Sequence, residues 1–348
     1  MGSDGCYNIQ ACSYKMNYPE SAEIFEEVKK VKKILLNCHR GPDPDGIGST
    51  LAMRLVLVNM GKEVEIICPS GPISKQASYL TGYDWIRLGV DFGKFDFSKF
   101  DLFITLDTPN VSLLTGKDAG KMPDIKTVIV DHHHLSTLSG DIRLIDETAT
   151  SVGEMLYDVF EDWGIKFNRD IAECLLTSII GDTGAFAYPN VTPKTLSIAS
   201  KLMALGPDKN MIADRIYRSE DFEMIKFWSA ILSKMEIDRD HKFVYSFMSY
   251  DEYKKFSRLD DAKAKAASLF APIVEGTNFG FIGIEEKPKY MTVSFRGRTD
   301  FDTSVIAKEL GGGGHKVASA TKIEGLSFED ASNKVLETAR KYAKKNSR

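Results

Sequence analysis

The sequence predicts an α/β protein with an N-terminal parallel-sheet domain, a helical connector and a smaller C-terminal α/β domain. Three observations predict it. Short apolar runs of β type alternate with helical patterns over the first half of the chain. From about Thr150 to Met235 the apolar spacing turns mostly helical. Strand-type runs return after about residue 240. The chain has 348 residues, more than one core usually sustains (roughly 250 to 300), so two folding units are expected.

In order, "KILLNC" reads as a strand, "IGSTLAMRLVLVNMG" as a helix and "KEVEIIC" as a second strand. "FDLFITLD", "KTVIVD" and "IRLID" follow as further strands, each a short apolar run bounded by polar or turn-forming residues. "TSVGEMLYDVFEDWG", "RDIAECLLTSIIGD" and "TPKTLSIASKLMALG" carry the connector helices. In the last third, "KFVYSFMSY", "NFGFIGIEE" and "YMTVSFRGR" read as strands, and "DTSVIAKEL" and "SFEDASNKVLETARKYAKK" as helices. The junction falls around "EIDRDHK". The opening "MGSDGCYNIQACSYKMNYPE" lacks the basic start, apolar core and cleavage site of a secretory signal, and reads as a leader of uncertain structure over residues 1–20.

Composition narrows the function. Hydrophobic residues make up 43% and charged residues 27%, a globular balance. Apolar runs such as "RLVLVNMG" stay far below the roughly 18 residues of a membrane span. Five cysteines without a CxxC pair argue against a disulfide framework or a cysteine-rich zinc site and fit a reducing cytoplasm. The net charge of −4 argues against binding long duplex nucleic acid through a broad basic surface. A small anionic ligand remains open.

The candidate chemistry sits where the apolar runs end. "KILLNC" leads to His39, Asp43 and Asp45, "DLFITL" to Asp107, "TVIV" to Asp131, His132, His133 and His134, and "LLTSIIG" to Asp182. In an open parallel sheet, ligands gather beyond the carboxyl ends of the strands, so one site can collect all of them. Taken singly each has a plainer reading: "PDPDG" as a turn, Asp107 as a strand-ending residue, the histidines as core or surface groups, Asp182 as a helix end. Four such segments, each behind an apolar run, favour a shared site. Mixed carboxylates and imidazoles suit a pair of divalent ions, with one carboxylate bridging. The oxygen-rich donor set points to Mn²⁺, with Mg²⁺ or Co²⁺ as substitutes, over a structural zinc.

"HRGPDPDGIGS", "LDT", "VDHH" and "GDTGAF" resemble the four motifs of the DHH phosphoesterases, in the same order. "GGGGHKVASA" resembles the glycine-histidine motif of their C-terminal domain, and the two-domain layout looks like the bacterial oligoribonuclease and pAp-phosphatase branch, as does Glu154 in "ETATSVGEML". The resemblance implies a catalytic domain over residues 21–235 and a substrate-binding domain over 240–348. It implies that His39 and Asp43 hold one metal, that Asp45, His132 and Asp182 hold the other, and that Asp107 bridges. His133 would lie beside the substrate without binding metal, Asp131 would orient its neighbours, and His134 has no role. On the substrate side it implies Arg296, Gly312, Gly313, Gly314 and His315, the glycines letting backbone N–H groups approach an anion. Phe186 reads as a core aromatic or a base-stacking one.

Two departures stand out. The second motif continues as "DTPNVSLLTG" where the family usually has polar and basic residues, and the C-terminal motif has Ala318, Ser319 and Ala320 in place of Ala-Ala-Gly. The activity implied is metal-dependent hydrolysis of short oligoribonucleotides or of 3′,5′-bisphosphate nucleotides such as pAp. A cyclic or linear dinucleotide phosphodiesterase is the alternative, an inorganic pyrophosphatase less so, and a nucleotide-binding sensor is the non-enzymatic one. No membrane partner is expected, and a homodimer is allowed for.

Overall fold

The computed structural model describes residues 17–256, 262–298 and 300–345. The chain divides into two compact units between Ser219 and Glu220. The leader expected over residues 1–20 lies outside the described residues up to position 16. Beyond it, the backbone N–H groups of Asn17 and Tyr18 donate to the Asp162 carboxylate, and Pro19 opens helix α1 (Pro19–Lys30).

The first unit is built on six parallel strands: β1 (Lys33–Asn37), β2 (Glu63–Ile67), β3 (Ile86–Arg87), β4 (Leu102–Leu106), β5 (Thr127–Asp131) and β6 (Ile142–Ile145). Their spatial order is β3-β2-β1-β4-β5-β6. The central strands are buried nearly throughout, which is why they read as continuous apolar runs: a parallel sheet is covered by helices on both faces. Side chains alternate between the two layers. Ile34, Leu36, Ile104 and Val128 face one core, while Leu35, Phe103 and Ile129 face the other. The sheet's first strand in chain order lies in its middle; the chain then runs outward to β3 and returns to place β4 on the other side of β1. Connections therefore diverge at the β1/β4 pair, which opens a crevice at the carboxyl ends of those strands.

Helices α2 (Pro44–Asn59), α3 (Val111–Thr115), α4 (Val152–Asp162), α5 (Arg169–Asp182), α6 (Pro193–Met203) and α7 (Lys209–Tyr217) complete this unit. The "PDPDG" turn proves to be a helix start. Asp43 caps α2 by accepting from the Gly46 N–H at 3.0 Å, and Pro44 occupies the first turn, where its missing N–H costs nothing. Helices α2 and α5 touch backbone to backbone, because a Cβ on Gly48 would lie 2.5 Å from the Cys174 carbonyl oxygen. This close packing holds the start of α2 and the end of α5 over the same sheet edge.

The second unit has a six-stranded sheet in the order β11-β12-β10-β9-β8-β7. Its strands are β7 (Glu236–Asp238), β8 (Phe243–Met248), β9 (Phe279–Lys287), β10 (Tyr290–Gly297), β11 (Gly313–Gly314) and β12 (Ala318–Glu324), antiparallel except for the β8/β9 pair. Helix α8 (Phe222–Leu232) belongs here: Phe227, Trp228 and Ile231 pack with Ile282 and Ile284 of β9. Also on this unit are α9 (Tyr250–Tyr253), α10 (Ala262–Phe270), α11 (Ser304–Glu309) and α12 (Phe328–Lys345). Ala331, Val335, Ala339 and Ala343 of α12 cover the Phe243, Phe279, Phe281 and Phe295 face of the sheet. The molecule is thus α/β, as the alternating pattern implied.

Candidate metal centre

The crevice at the carboxyl ends of β1, β4 and β5 receives His39, Asp107 and Asp131, each within two residues of a strand end. Asp43 and Asp45 arrive on the first turn of α2, and Asp182 is the last residue of α5. Three overlapping sets each present one ligand atom per residue, with the atoms within 4.8 Å of one another: His39, Asp43 and Asp107; Asp45, His132 and Asp182; and Asp107, His132 and His133. Asp107 belongs to the first and third of these sets, and His132 to the second and third. The Asp107 backbone is left-handed, with φ of 52°, a conformation Asp tolerates better than most residues.

Hydrogen bonds fix the imidazoles. The Nδ1 of His39 lies 3.1 Å from the Arg40 carbonyl, leaving Nε2 to face the Asp107 carboxylate at 3.4 Å. The Nδ1 of His132 lies 3.2 Å from the Ala149 carbonyl, so its Nε2 points at Asp182 (3.1 Å), Asp107 (3.6 Å) and Asp45 (3.7 Å). The loop bearing Ala149 is held by Glu154, a buried carboxylate that accepts from Thr150 at 2.5 Å and Thr195 at 2.8 Å. His133 pairs through Nδ1 with Asp131 at 2.8 Å, which leaves its half-exposed Nε2 edge turned outward. His134 pairs with the surface Glu147.

Charge is crowded here. Burial, and then the neighbouring Asp182 charge, pushes the Asp45 carboxyl up to about 7. Burial together with Asp45, Asp43 and Asp182 holds Asp107 well above the ordinary carboxylate range, and burial also raises Asp182. Burial alone would lower His132, but its bond to Asp182 and the surrounding carboxylates prevail and lift it to about 10. Bound cations would relieve such a crowd of buried carboxylates. The fit to cations also rests on two buried atoms without a hydrogen-bond partner among the described residues, His39 Nε2 and Asp107 Oδ1. Imidazole nitrogen and carboxylate oxygen are both metal donors.

Residues 33–179 match the DHH family, N-terminal domain. Two curated relatives are each named bifunctional oligoribonuclease and PAP phosphatase NrnA. The one from Bacillus subtilis is 26% identical over 91% of this chain and 97% of its own length. The one from Thermus thermophilus is 25% identical over 93% and 94%. A solved structure, an exopolyphosphatase-related protein from Bacteroides fragilis, superposes with a TM-score of 0.82 at 22% identity, covering 93% of this chain and 96% of that one. That likeness concerns the fold.

Arg296, Gly312, Gly313, Gly314 and His315 come together within the second unit, around the start of β12. Arg296 pairs with Ala318 in the β10/β12 ladder, and the His315 N–H donates to the Ala318 carbonyl at 2.8 Å. The guanidinium uses Nε–H on Ser268 and an Nη1–H on the Phe295 carbonyl, both at 2.9 Å. Of five N–H donors, the rest have no partner among the described residues. The glycine run is mostly explained by the backbone. A Cβ on Gly312 would lie 2.2 Å from the Ala320 carbonyl, and one on Gly314, at φ of 134°, would lie 2.5 Å from Ser319 Cα. Gly311 ends α11 in the left-handed region, as glycines past helix ends commonly do. Only Gly313 among the four has neither a close neighbour nor a positive φ.

Sequence reasoning missed the residues that shape the site without carrying charge. Gly46 is one, since a Cβ there would lie 2.5 Å from His39 Nε2. Gly46→Ala should displace the imidazole and weaken ion binding by about 10-fold or more, the scale for disturbing a ligand's support, with the far-ultraviolet spectrum unchanged. Calorimetric titration with Mn²⁺ checks this, and wild-type affinity would show that the ring has another resting place. Ser178 and Gly153 are the others. A Cβ on Gly153 would fall 2.0 Å from the Ser178 hydroxyl, an approach that no local pattern announces.

Proposed function

We propose that this protein hydrolyses phosphoester bonds in short oligoribonucleotides and in 3′,5′-bisphosphate nucleotides such as pAp, using two divalent ions, Mn²⁺ foremost. The observation that supports the reading is Asp107, which shares one ligand set with His39 and Asp43 and another with His132, beside His133, whose Nε2 has no hydrogen-bond partner among the described residues. The relatives' names supply the substrate class.

In this reading His39 and Asp43 hold one ion, Asp45, His132 and Asp182 the other, and Asp107 joins them. Bound there, the ions lower the pKa of water and neutralise charge on the phosphorus oxygens. Asp131 accepts the His133 Nδ1 proton and so fixes the tautomer and the ring direction. Nε2 of His133 then stabilises the charge developing on phosphate or protonates the leaving oxygen. Ala149 and Arg40 set the two ligand imidazoles in the same way, through their carbonyls. Arg296 and His315 hold a phosphate of the substrate, the arginine with its spare N–H groups.

Among the described residues no helix is long and apolar enough to cross a membrane. Cys38, Cys68 and Cys174 are free, which supports a reducing cytoplasm as the working place. The decisive assay compares initial rates with Mn²⁺ on short 5′-labelled RNA, pAp, pyrophosphate, and linear and cyclic dinucleotides. Fastest turnover of RNA or pAp is expected. A preference for pyrophosphate or a cyclic dinucleotide would overturn the substrate assignment.

The second unit supplies its own test. A charge-assisted phosphate contact contributes roughly 1.5 to 3 kcal/mol, about 10 to 150-fold. Arg296→Ala and His315→Ala should each lose that much on pAp or short RNA while cleaving bis-p-nitrophenyl phosphate almost normally. Proportional loss on both substrate types would assign these residues to folding.

A further inference from the structure

The Asp45 carboxylate is fully buried and is held by three donors. The Val152 N–H reaches Oδ2 at 2.8 Å, the Gly153 N–H reaches Oδ1 at 3.3 Å, and the Ser178 hydroxyl donates to Oδ1 in a short hydrogen bond. A carboxylate offers about four lone-pair positions. Three are occupied, and the remaining one lies on Oδ2, the oxygen 3.7 Å from His132 Nε2. Asp107 differs: among the described residues no hydrogen bond reaches its Oδ1.

Ser178 stands four residues before Asp182 on α5, and such residues share a helix face one turn apart. One turn earlier still, the Cys174 carbonyl marks the closest approach of α2 at Gly48. A single stripe of α5 thus carries the contact that fixes the helix, the hydroxyl that fixes Asp45, and the carboxylate of Asp182. The missing Cβ at Gly153 makes room for that hydroxyl.

We propose that Ser178 is a positioning residue that reserves Asp45 for one ion. By occupying Oδ1 it leaves a single free lone pair facing His132 and Asp182, so Asp45 serves the ion of that set and cannot bridge as Asp107 does. The inference rests on the two-ion reading above. Ser178 is itself fully buried, and its effect passes through Asp45.

The test is calorimetric titration of the full-length, metal-stripped chain with Mn²⁺ at one fixed pH, with elemental analysis after desalting. Ser178→Ala should weaken one of the two binding events by about 10 to 100-fold, the range for losing a ligand's outer partner, and leave the other within about twofold. Asp45→Asn should weaken the same event, and the double variant should be no weaker than Asp45→Asn alone, because residues acting through one contact are not additive. Equal weakening of both events, no weakening, or full additivity with Asp45→Asn would overturn the proposal. If wild type binds only one ion, the two-ion reading falls, while the double-variant comparison still decides whether Ser178 acts through Asp45. Should Ser178→Ala fail to fold, Ser178→Cys, a small side chain that donates weakly, carries the same comparison and should fall between the extremes.

Discussion

Asp107→Asn should cost the protein both ions. The amide matches the carboxylate in shape and tolerates the left-handed backbone at φ 52°, so the loss will report ligation and not a distorted strand end. Each affinity should fall by more than the roughly 10 to 100-fold that follows loss of an outer partner, and elemental analysis should return less than one ion per chain after desalting. The metal-free variant should melt no lower than metal-free wild type, because burial beside Asp45, Asp43 and Asp182 disfavours a charge at this position. Two retained ions, or one tightly held zinc with full activity, would refute the bridging role.

His133→Ala is expected to show the opposite split. Its ring is half exposed and bonded to Asp131, so ion content should stay near wild type while turnover drops about 10² to 10⁴-fold, the scale for an acid-base partner. His132→Ala, which removes the imidazole 3.1 Å from Asp182, should lose metal as well. Parallel elemental analysis and steady-state rates on pAp separate the two, and equal metal loss in both variants would end the distinction between ligand and proton donor.

The charged half of this site was legible in the sequence because a strand end is a local event. Three of the apolar runs that become parallel strands are followed at once by candidate ligands, as with "DLFITL" and Asp107, or "TVIV" and the histidines. Asp182, at the end of a helix, was legible for the same reason. The supporting half was not. Ser178 lies 133 positions from Asp45, and the Ala149 carbonyl that orients His132 carries no side-chain signature at all. The need for glycine at positions 46 and 153 arises from atoms brought close by helix packing. Likewise α8 follows the connector helices without a break in its periodicity. Only its contacts with β9 place it in the second unit.

The position of β1 in the middle of its sheet has a consequence for how the protein comes into being. This sheet's first strand in chain order has partners on both sides, β2 and β4, and the second of these begins at Leu102. Parallel pairing waits on such long crossovers, and the last contributor to the ion cluster, Asp182, emerges only after all six strands. A nascent or truncated chain that stops short of α5 lacks both Asp182 and the Ser178 hydroxyl that holds Asp45. The cluster of candidate ion ligands is thus complete only once α5 has been made, after every strand of the first sheet.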